Sequence, residues 1–177
     1  MQPYTCTHPS AVGLLTLSSD GEHITGLWIE GQKYFAATLP AQHQSATLPV
    51  FDQCKRWLDN YFSGEQPPMD IPLAPQGSPF RQAVWQLLLQ IPYGEVMTYG
   101  QIAQRMEEQT QKHMSAQAVG GAVGHNPISL LIPCHRVLGS GGSLTGYAGG
   151  VAVKERLLRL EGHDTSRFSV PTTGSAL

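Results

Sequence analysis

A thiol, an imidazole and a guanidinium stand side by side at Cys134-His135-Arg136 in this chain of 177 residues. A cysteine acts as a nucleophile only as its thiolate, and near its ordinary pKa just a few per cent is ionised at neutral pH. A nucleophilic Cys134 therefore needs a base, and His135 is adjacent. On an extended backbone neighbouring side chains point to opposite sides. Either the chain turns at Cys134, or a water carries the proton between the two. The competing reading is a buried structural thiol, since free cysteine is among the most buried residue types. Local chemistry leaves both readings open.

The elements around this triplet must position it. The apolar run Ile128 to Ile132, broken once by Ser129, predicts a buried strand or extended segment. Pro133 ends the run because it lacks a ladder donor, and a glycine-rich loop, Gly139 to Gly150, follows the triplet. Upstream, Ser78-Pro79 predicts a helix start, with serine as N-cap and proline at the first helical position; Phe80, Val84, Leu87, Leu88 and Ile91 form its apolar face, and Pro92-Tyr93-Gly94 stops it. Thr98 and Gln101 have capping-box spacing and open a second helix to about Met106. A third spans Ser115 to Gly124 and ends at Asn126-Pro127, because the residue before proline avoids helical dihedrals. Two short helices joined by a turn fit a helix-turn-helix, although an ordinary helical pair fits the same pattern. Gly120 and Gly121 inside the third helix cost about 1 kcal/mol each relative to alanine. That cost points either to something approaching the backbone from outside or to tight helix packing. A last helix, Val151 to Leu160, has Val153, Leu157, Leu158 and Leu160 on its apolar side and Gly162 beyond it.

The amino-terminal part reads differently. Val12–Ser18 and Ile24–Glu30 predict two strands joined through Asp20-Gly21, a hairpin signal, and Phe35–Leu39 extends the sheet. Leu48 to Phe62 carries Leu48, Phe51, Cys54, Leu58, Tyr61 and Phe62 at helical spacing, which places Cys54 in the core. Four prolines between residues 65 and 77 preclude a regular element there. The predicted organisation is an α+β chain: residues 1–64, a small antiparallel sheet with a helix; a proline-rich linker, 65–77; a mainly helical domain, 78–163; and a disordered tail, 164–177, rich in Ser, Thr and Gly.

Composition narrows the function classes. Charged residues make up 14% and the net charge is −2. Residues 1–77 hold three Lys/Arg and seven Asp/Glu, giving −4, whereas residues 78–177 hold eight and six, giving +2. The second half therefore supplies a few phosphate contacts rather than the electrostatic term of a strongly basic binder. No apolar run reaches membrane-spanning length, and Met1-Gln2-Pro3-Tyr4 lacks signal-peptide character. Three cysteines, an odd number without framework spacing, fit a reducing, cytoplasmic compartment. Cys6 and His8, with His23 and His43 further on, do not complete a four-ligand zinc pattern, so neither a metal nor a cofactor is expected.

Several ordered motifs together resemble the O6-alkylguanine-DNA alkyltransferase family: Gly94-Glu95-Val96-Met97-Thr98-Tyr99, Ala118-Val119-Gly120-Gly121-Ala122, Pro133-Cys134-His135-Arg136-Val137, Thr145-Gly146-Tyr147-Ala148-Gly149-Gly150 and Lys154 to Gly162. The resemblance covers residues 78–162 and implies a ribonuclease H-like amino-terminal domain followed by a winged helix-turn-helix. It implies repair of double-stranded DNA carrying O6-alkylguanine: irreversible, single-turnover transfer of the alkyl group to Cys134, after the base is flipped from the duplex. By the resemblance, His135 is the base, acting through a water and held by Glu161. Tyr99 donates to purine N3, the Ala148 amide reaches O6, and the Cys134 and Val137 carbonyls accept from the exocyclic amine. Val123, Ser129 and Tyr147 wall the pocket, and Asn126 ties the recognition helix to the cysteine segment. Gln117, Ala118, Gly120, Gly121, Arg136 and Ser140 face DNA. Without the resemblance, Tyr99, Tyr147 and Val123 read equally as core packing, and Glu161 as a solvated helix-end carboxylate. A monomer is expected. Two rival functions are a lesion-sensing relative that does not repair and a Cys/His hydrolase.

The chain departs from the family at Gln117, where an arginine fills the space left by the flipped base. The shorter, neutral amide stabilises the flipped state less. Gln117→Arg is expected to speed repair of duplex DNA several-fold in single-turnover assays, and an unchanged or lower rate would remove this residue from that role.

Overall fold

The computed structural model describes residues 2–171. The chain forms two compact units, Met1–Gln76 with Pro127–Leu131 and Gly77–Asn126 with Ile132–Leu177.

The first unit is built on a four-stranded sheet of order β3-β2-β1-β4, comprising β1 (Tyr4–Ser10), β2 (Gly13–Ser19), β3 (Ile24–Ile29) and β4 (Gln44–Ser45). The predicted hairpin is present as β2 and β3. In its turn Asp20 Oδ1 accepts from the backbone N–H groups of Glu22 at 2.9 Å and His23 at 2.8 Å, and Gly21 supplies a φ of 112°. The sheet is mixed rather than antiparallel throughout. The loop after β3 carries the chain past β2 and β1 to the opposite edge, where β4 runs parallel to β1. Phe35–Leu39 is not a strand. Tyr34 and Ala36 take positive φ values of 57° and 54°, and Ala37 N–H→Tyr34 O and Leu39 N–H→Ala36 O close successive turns. Helix α1 (Pro49–Phe62) buries Val50, Phe51, Cys54, Trp57, Leu58 and Tyr61, so Cys54 lies in the core as its helical spacing predicts.

The proline-rich stretch is held to this unit. Leu73 bridges Ile24, Trp57 Nε1 donates to Pro68 O at 3.1 Å and Ile71 is buried. The apolar run after Asn126 also joins it, but as one bridge rather than a strand. Leu27 N–H donates to Pro127 O (2.9 Å) and Ser129 N–H to Leu27 O (3.0 Å). Pairing stops there because Leu130 adopts a left-handed φ of 72°, a conformation that costs a branched side chain energy.

The second unit is mainly helical: α2 (Pro79–Leu88), α3 (Tyr99–Thr110), α4 (Ala116–Gly124) and α5 (Val151–Leu160), with a two-stranded parallel pair, β5 (Met97–Thr98) and β6 (Val137–Leu138). Two caps are those read from sequence: Ser78 accepts from Arg81 N–H, and Thr98 and Gln101 complete both halves of a capping box. Ser115, read as the start of the third helix, is its cap instead and accepts from Ala118 N–H. Helix α3 runs four residues past its predicted end; Thr110 Oγ1 donates to Met106 O, and Gln111 closes the helix in the left-handed region. Trp85 Nε1 donates to Ala122 O at 2.9 Å and fixes α2 to α4. The predicted apolar side of α5 is corrected: Lys154 is buried with Leu157 and Leu158, whereas Val153 and Leu160 are only partly covered.

The tail is also corrected. Residues 164–171 pack on the unit, because Ser169 exchanges hydrogen bonds with Gly142 and Leu144 and Phe168 covers Leu138, Leu144 and Leu158. Residues 172–177 lie outside the described residues.

The Thr98 cap starts the helix that carries Tyr99. Thr98→Ala is expected to destabilise the protein by about 1 kcal/mol, read as a lower urea midpoint; an unchanged midpoint would mean that β5 pairing, not the cap, sets this helix start.

Candidate active site

The site is assembled where β5 lies beside β6. Met97 faces Val137 and Thr98 faces Leu138, which brings the first residue of α3, Tyr99, alongside the turn that carries the cysteine. That turn is a single 3-10 turn, Cys134–Arg136. Arg136 N–H donates to Pro133 O, and Val137 N–H to Cys134 O. The chain thus does turn at Cys134, which removes the extended geometry but does not by itself set the imidazole against the sulfur.

The thiol lies 3% exposed. Burial pushes its pKa up; the Asn126 side chain, the Lys154 charge and the Cys134 and His135 amides oppose that rise. At rest the sulfur is a protonated thiol, shielded from solution. Asn126 also donates from Nδ2 to Ile132 O at 2.9 Å. The chain leaves this unit after Asn126 and returns at Ile132, so one amide pins both ends of the excursion to each other and to the sulfur.

His135 and Glu161 are fully buried at their side chains and meet at 2.6 Å, Nε2 to Oε2. Glu161 accepts as well from Arg136, Nε to Oε1 at 2.7 Å and Nη2 to Oε2 at 3.2 Å. Burial acts to raise the Glu161 pKa, but the His135 hydrogen bond and the Arg136 guanidinium outweigh it and hold the carboxyl below its ordinary range. Burial lowers His135, although Glu161 pulls the other way. The imidazole is therefore neutral, donates Nε2–H to an ionised Glu161, and keeps its basic lone pair on Nδ1.

Arg136 was expected to face DNA, and the structure corrects this. Its side chain is 11% exposed. Beyond the two bonds to Glu161, Nη1 donates to Ile91 O at 2.7 Å, and the guanidinium lies 5.7 Å from the Tyr93 ring centroid. The donors face inward because a buried Glu161 with only a neutral histidine as partner would be an uncompensated charge.

Tyr99 donates its hydroxyl to Thr145 O at 2.7 Å, and burial, reinforced by the neighbouring Cys134, keeps the phenol protonated. This approach requires glycine at Gly146: the residue has φ 83°, and a Cβ there would collide with the Tyr99 hydroxyl. Tyr147 is 7% exposed, and its hydroxyl has no hydrogen-bond partner among the described residues. A buried hydroxyl in that state is free to bond a group from outside the chain. Ala148 sits at the first central position of a turn closed by Gly150 N–H→Tyr147 O. Val123 and Val137 are buried.

Of the remaining expected residues, Gln117, Ala118, Gly121 and Ser140 are exposed and Gly120 is partly covered. A Cβ at Gly121 would meet nothing within 4 Å, and one at Gly120 would make only ordinary contact with Tyr99. Tight helix packing is thereby removed as the reason for these glycines. Ser129 is placed in the other unit, where its hydroxyl donates to Gln32 Oε1 at 3.3 Å. The residue missed by the sequence reading is Lys154, which donates from Nζ to Val137 O and to Thr145 O. It lies in register with Leu157, Leu158 and Glu161 along α5, a spacing that would have revealed it. As for metals, among the described residues no three His, Cys, Asp or Glu cluster; His8 pairs instead with Asp59 at 2.7 Å.

Glu161→Gln is expected to destabilise the protein by roughly 3 kcal/mol in urea, since it strips a buried guanidinium of its counter-ion; a loss under about 1 kcal/mol would show that this pairing is not a buried ion pair. The pH dependence has a fixed sign. The folded pKa of His135 lies below its unfolded value of about 6.5 and that of Glu161 below about 4.3. Both contributions are present above those values and are lost as pH falls, so the urea midpoint should decline from about pH 6.5 downward, and a midpoint flat to pH 4 would contradict the assignment.

Comparison with known proteins agrees along the chain. The family described as 6-O-methylguanine DNA methyltransferase, DNA binding domain, matches residues 79–163, and its ribonuclease-like domain matches residues 4–75. A methylated-DNA–protein-cysteine methyltransferase of Haemophilus influenzae is 46% identical over 89% of this chain and 86% of its own length. One from Mycobacterium tuberculosis is 42% identical over 88% and 90%. The crystal structure of the Mycobacterium tuberculosis OGT in complex with DNA superposes with a TM-score of 0.76 at 39% identity, covering 95% of each chain. With both domain families matched and identity at this level over most of its length, the chain belongs to the 6-O-methylguanine-DNA methyltransferase family.

Proposed function

We infer that this protein repairs DNA directly, moving an alkyl group from O6 of guanine to Cys134 Sγ. The observation that carries the reading is a buried cysteine on a one-turn element whose next residue is a neutral histidine held by an ionised glutamate at 2.6 Å. The thiol proton passes through a water to His135 Nδ1, and the imidazolium is stabilised by Glu161. The thiolate attacks the alkyl carbon. As the S–C bond forms the C–O6 bond breaks, and its electron pair stays on the purine. That negative charge is met by Tyr99 donating at N3 and by the Ala148 amide near O6. The carbonyls of Cys134 and Val137 accept from the exocyclic amine, with Val123 and Tyr147 as walls. The thioether has no route back to thiol, so one protein is consumed per lesion.

Double-stranded DNA carrying the lesion is the partner, and α4 is the surface that meets it. Its exposed Gln117, Ala118 and Gly121 with Gly120, and Ser140 on the loop after β6, offer residues without bulky side chains. The glycines are free of internal packing demands, which leaves close approach of the nucleic-acid backbone as their use. Arg136 is withdrawn from this surface and serves the catalytic carboxylate instead. No described helix is long and apolar enough to cross a membrane; a cytoplasmic location fits the three free cysteines, which stay reduced there.

Incubation with a duplex containing O6-methylguanine, followed by peptide mass spectrometry, is expected to find one methyl group on Cys134 and none after Cys134→Ser. Methylation elsewhere, or product exceeding one equivalent of protein, would overturn the mechanism.

A further inference from the structure

Lys154 is 0% exposed, and among the described residues no carboxylate lies within ion-pair distance of it. Burying an ammonium without a counter-ion is costly. Its two acceptors are backbone carbonyls, Val137 O and Thr145 O, a duty that a neutral donor would discharge without a buried charge. The ionisable group whose negative form favours the ammonium is Cys134.

We infer that Lys154 is a positioning residue for the alkyl transfer: its ammonium locks the Val137 and Thr145 carbonyls behind Cys134 and Tyr99 and holds a fixed positive charge toward the sulfur that must become anionic. The inference rests on the proposed transfer to Cys134. Three arrangements support it. Val137 closes the turn that carries the nucleophile, its N–H bonded to Cys134 O, so a donor on Val137 O braces that turn from behind. Thr145 O receives both the Tyr99 hydroxyl at 2.7 Å and Lys154 Nζ at 3.0 Å. When Tyr99 turns from Thr145 to a bound base, Lys154 keeps that buried carbonyl satisfied, so the switch leaves no orphaned acceptor. Nζ also lies 5.8 Å from the Tyr99 ring centroid, within reach of the phenol as it gives up its hydrogen bond.

The groups facing the sulfur come from several elements: the Asn126 amide beyond α4, the backbone amides of Cys134 and His135, the phenols of Tyr99 and Tyr147, and Lys154 on α5. Lys154 is the cation among them. Burial lowers its pKa to about 8, which leaves it mostly charged at neutral pH, where the thiolate is needed.

The test measures single-turnover methyl transfer from an O6-methylguanine duplex between about pH 6 and 9.5 for full-length wild type, Lys154→Gln and Lys154→Arg, with duplex affinity and circular dichroism recorded in parallel. Lys154→Gln keeps a carbonyl donor but loses the charge. Its rate profile should move up by about one pH unit, about tenfold slower at neutral pH, with duplex affinity unchanged; Lys154→Arg should keep the wild-type midpoint. A Lys154→Gln profile at the wild-type midpoint would reduce Lys154 to a structural tie and overturn the inference. If Lys154→Gln does not fold, Lys154→Arg decides: a retained midpoint supports the role of charge, and a shifted one overturns it. Wild type that fails to place methyl on Cys134 would sink the transfer reading itself, an outcome separate from any behaviour of the variants.

Discussion

Both oxygens of Glu161 are spoken for, one by Arg136 Nε and the other by His135 Nε2 together with Arg136 Nη2. A carboxylate with a fully buried side chain persists only when its charge is matched and its lone pairs are filled. Meeting that requirement forces the rest of the arrangement. The end of α5 must face the turn at Cys134–Arg136, both residues after the cysteine must point toward α5, and His135 must carry its proton on the nitrogen that faces the acid. The tautomer, the direction of the turn and the withdrawal of Arg136 from the surface all follow from one buried charge.

The electrostatics around the sulfur are balanced rather than extreme. Desolvation keeps Cys134 protonated and protects it from oxidants and from solution electrophiles. The opposing influences, an amide from Asn126, a lysine and two backbone N–H groups, lessen the cost of ionisation when a base is available. A single-turnover protein benefits from that balance, because a thiol consumed by any chance reagent is lost for repair. The neutral His135 fits the same logic, since a permanently charged imidazolium could not accept the proton.

Much of this was legible because it depends on local rules. Ser78 and Thr98 cap helices through their own side chains, and Asp20-Gly21 makes its turn unaided. What escaped were features decided by distant partners. Strand β1 has little apolar signal, as its one buried residue is Thr5 and Tyr4, Cys6 and His8 are only partly covered, and pairing with β2 and β4 makes it a strand. Phe35–Leu39 has strand-like composition but is bent by turns that close on their own backbone. Residues 164–171 look like a tail, yet Phe168 finds an apolar cluster to cover. Lys154 was passed over because a charged side chain on an apolar helix face is ordinarily read as solvated.

By itself the sequence carried the α+β class, the helix starts at Ser78 and Thr98 and the family, since these rest on residue type, short spacing and ordered motifs, while the local chemistry of Cys134 left its role open. Tertiary structure decided which groups surround the Cys134 thiol and by what contacts. Residues 134 and 161 are separated by a glycine-rich loop and a helix, and only folding sets Glu161 on His135, turns Arg136 inward and buries Lys154 behind the carbonyls of Val137 and Thr145. The reason is physical. Caps and turns are satisfied within a few residues, whereas a buried charge must find its partners wherever the packed chain brings them.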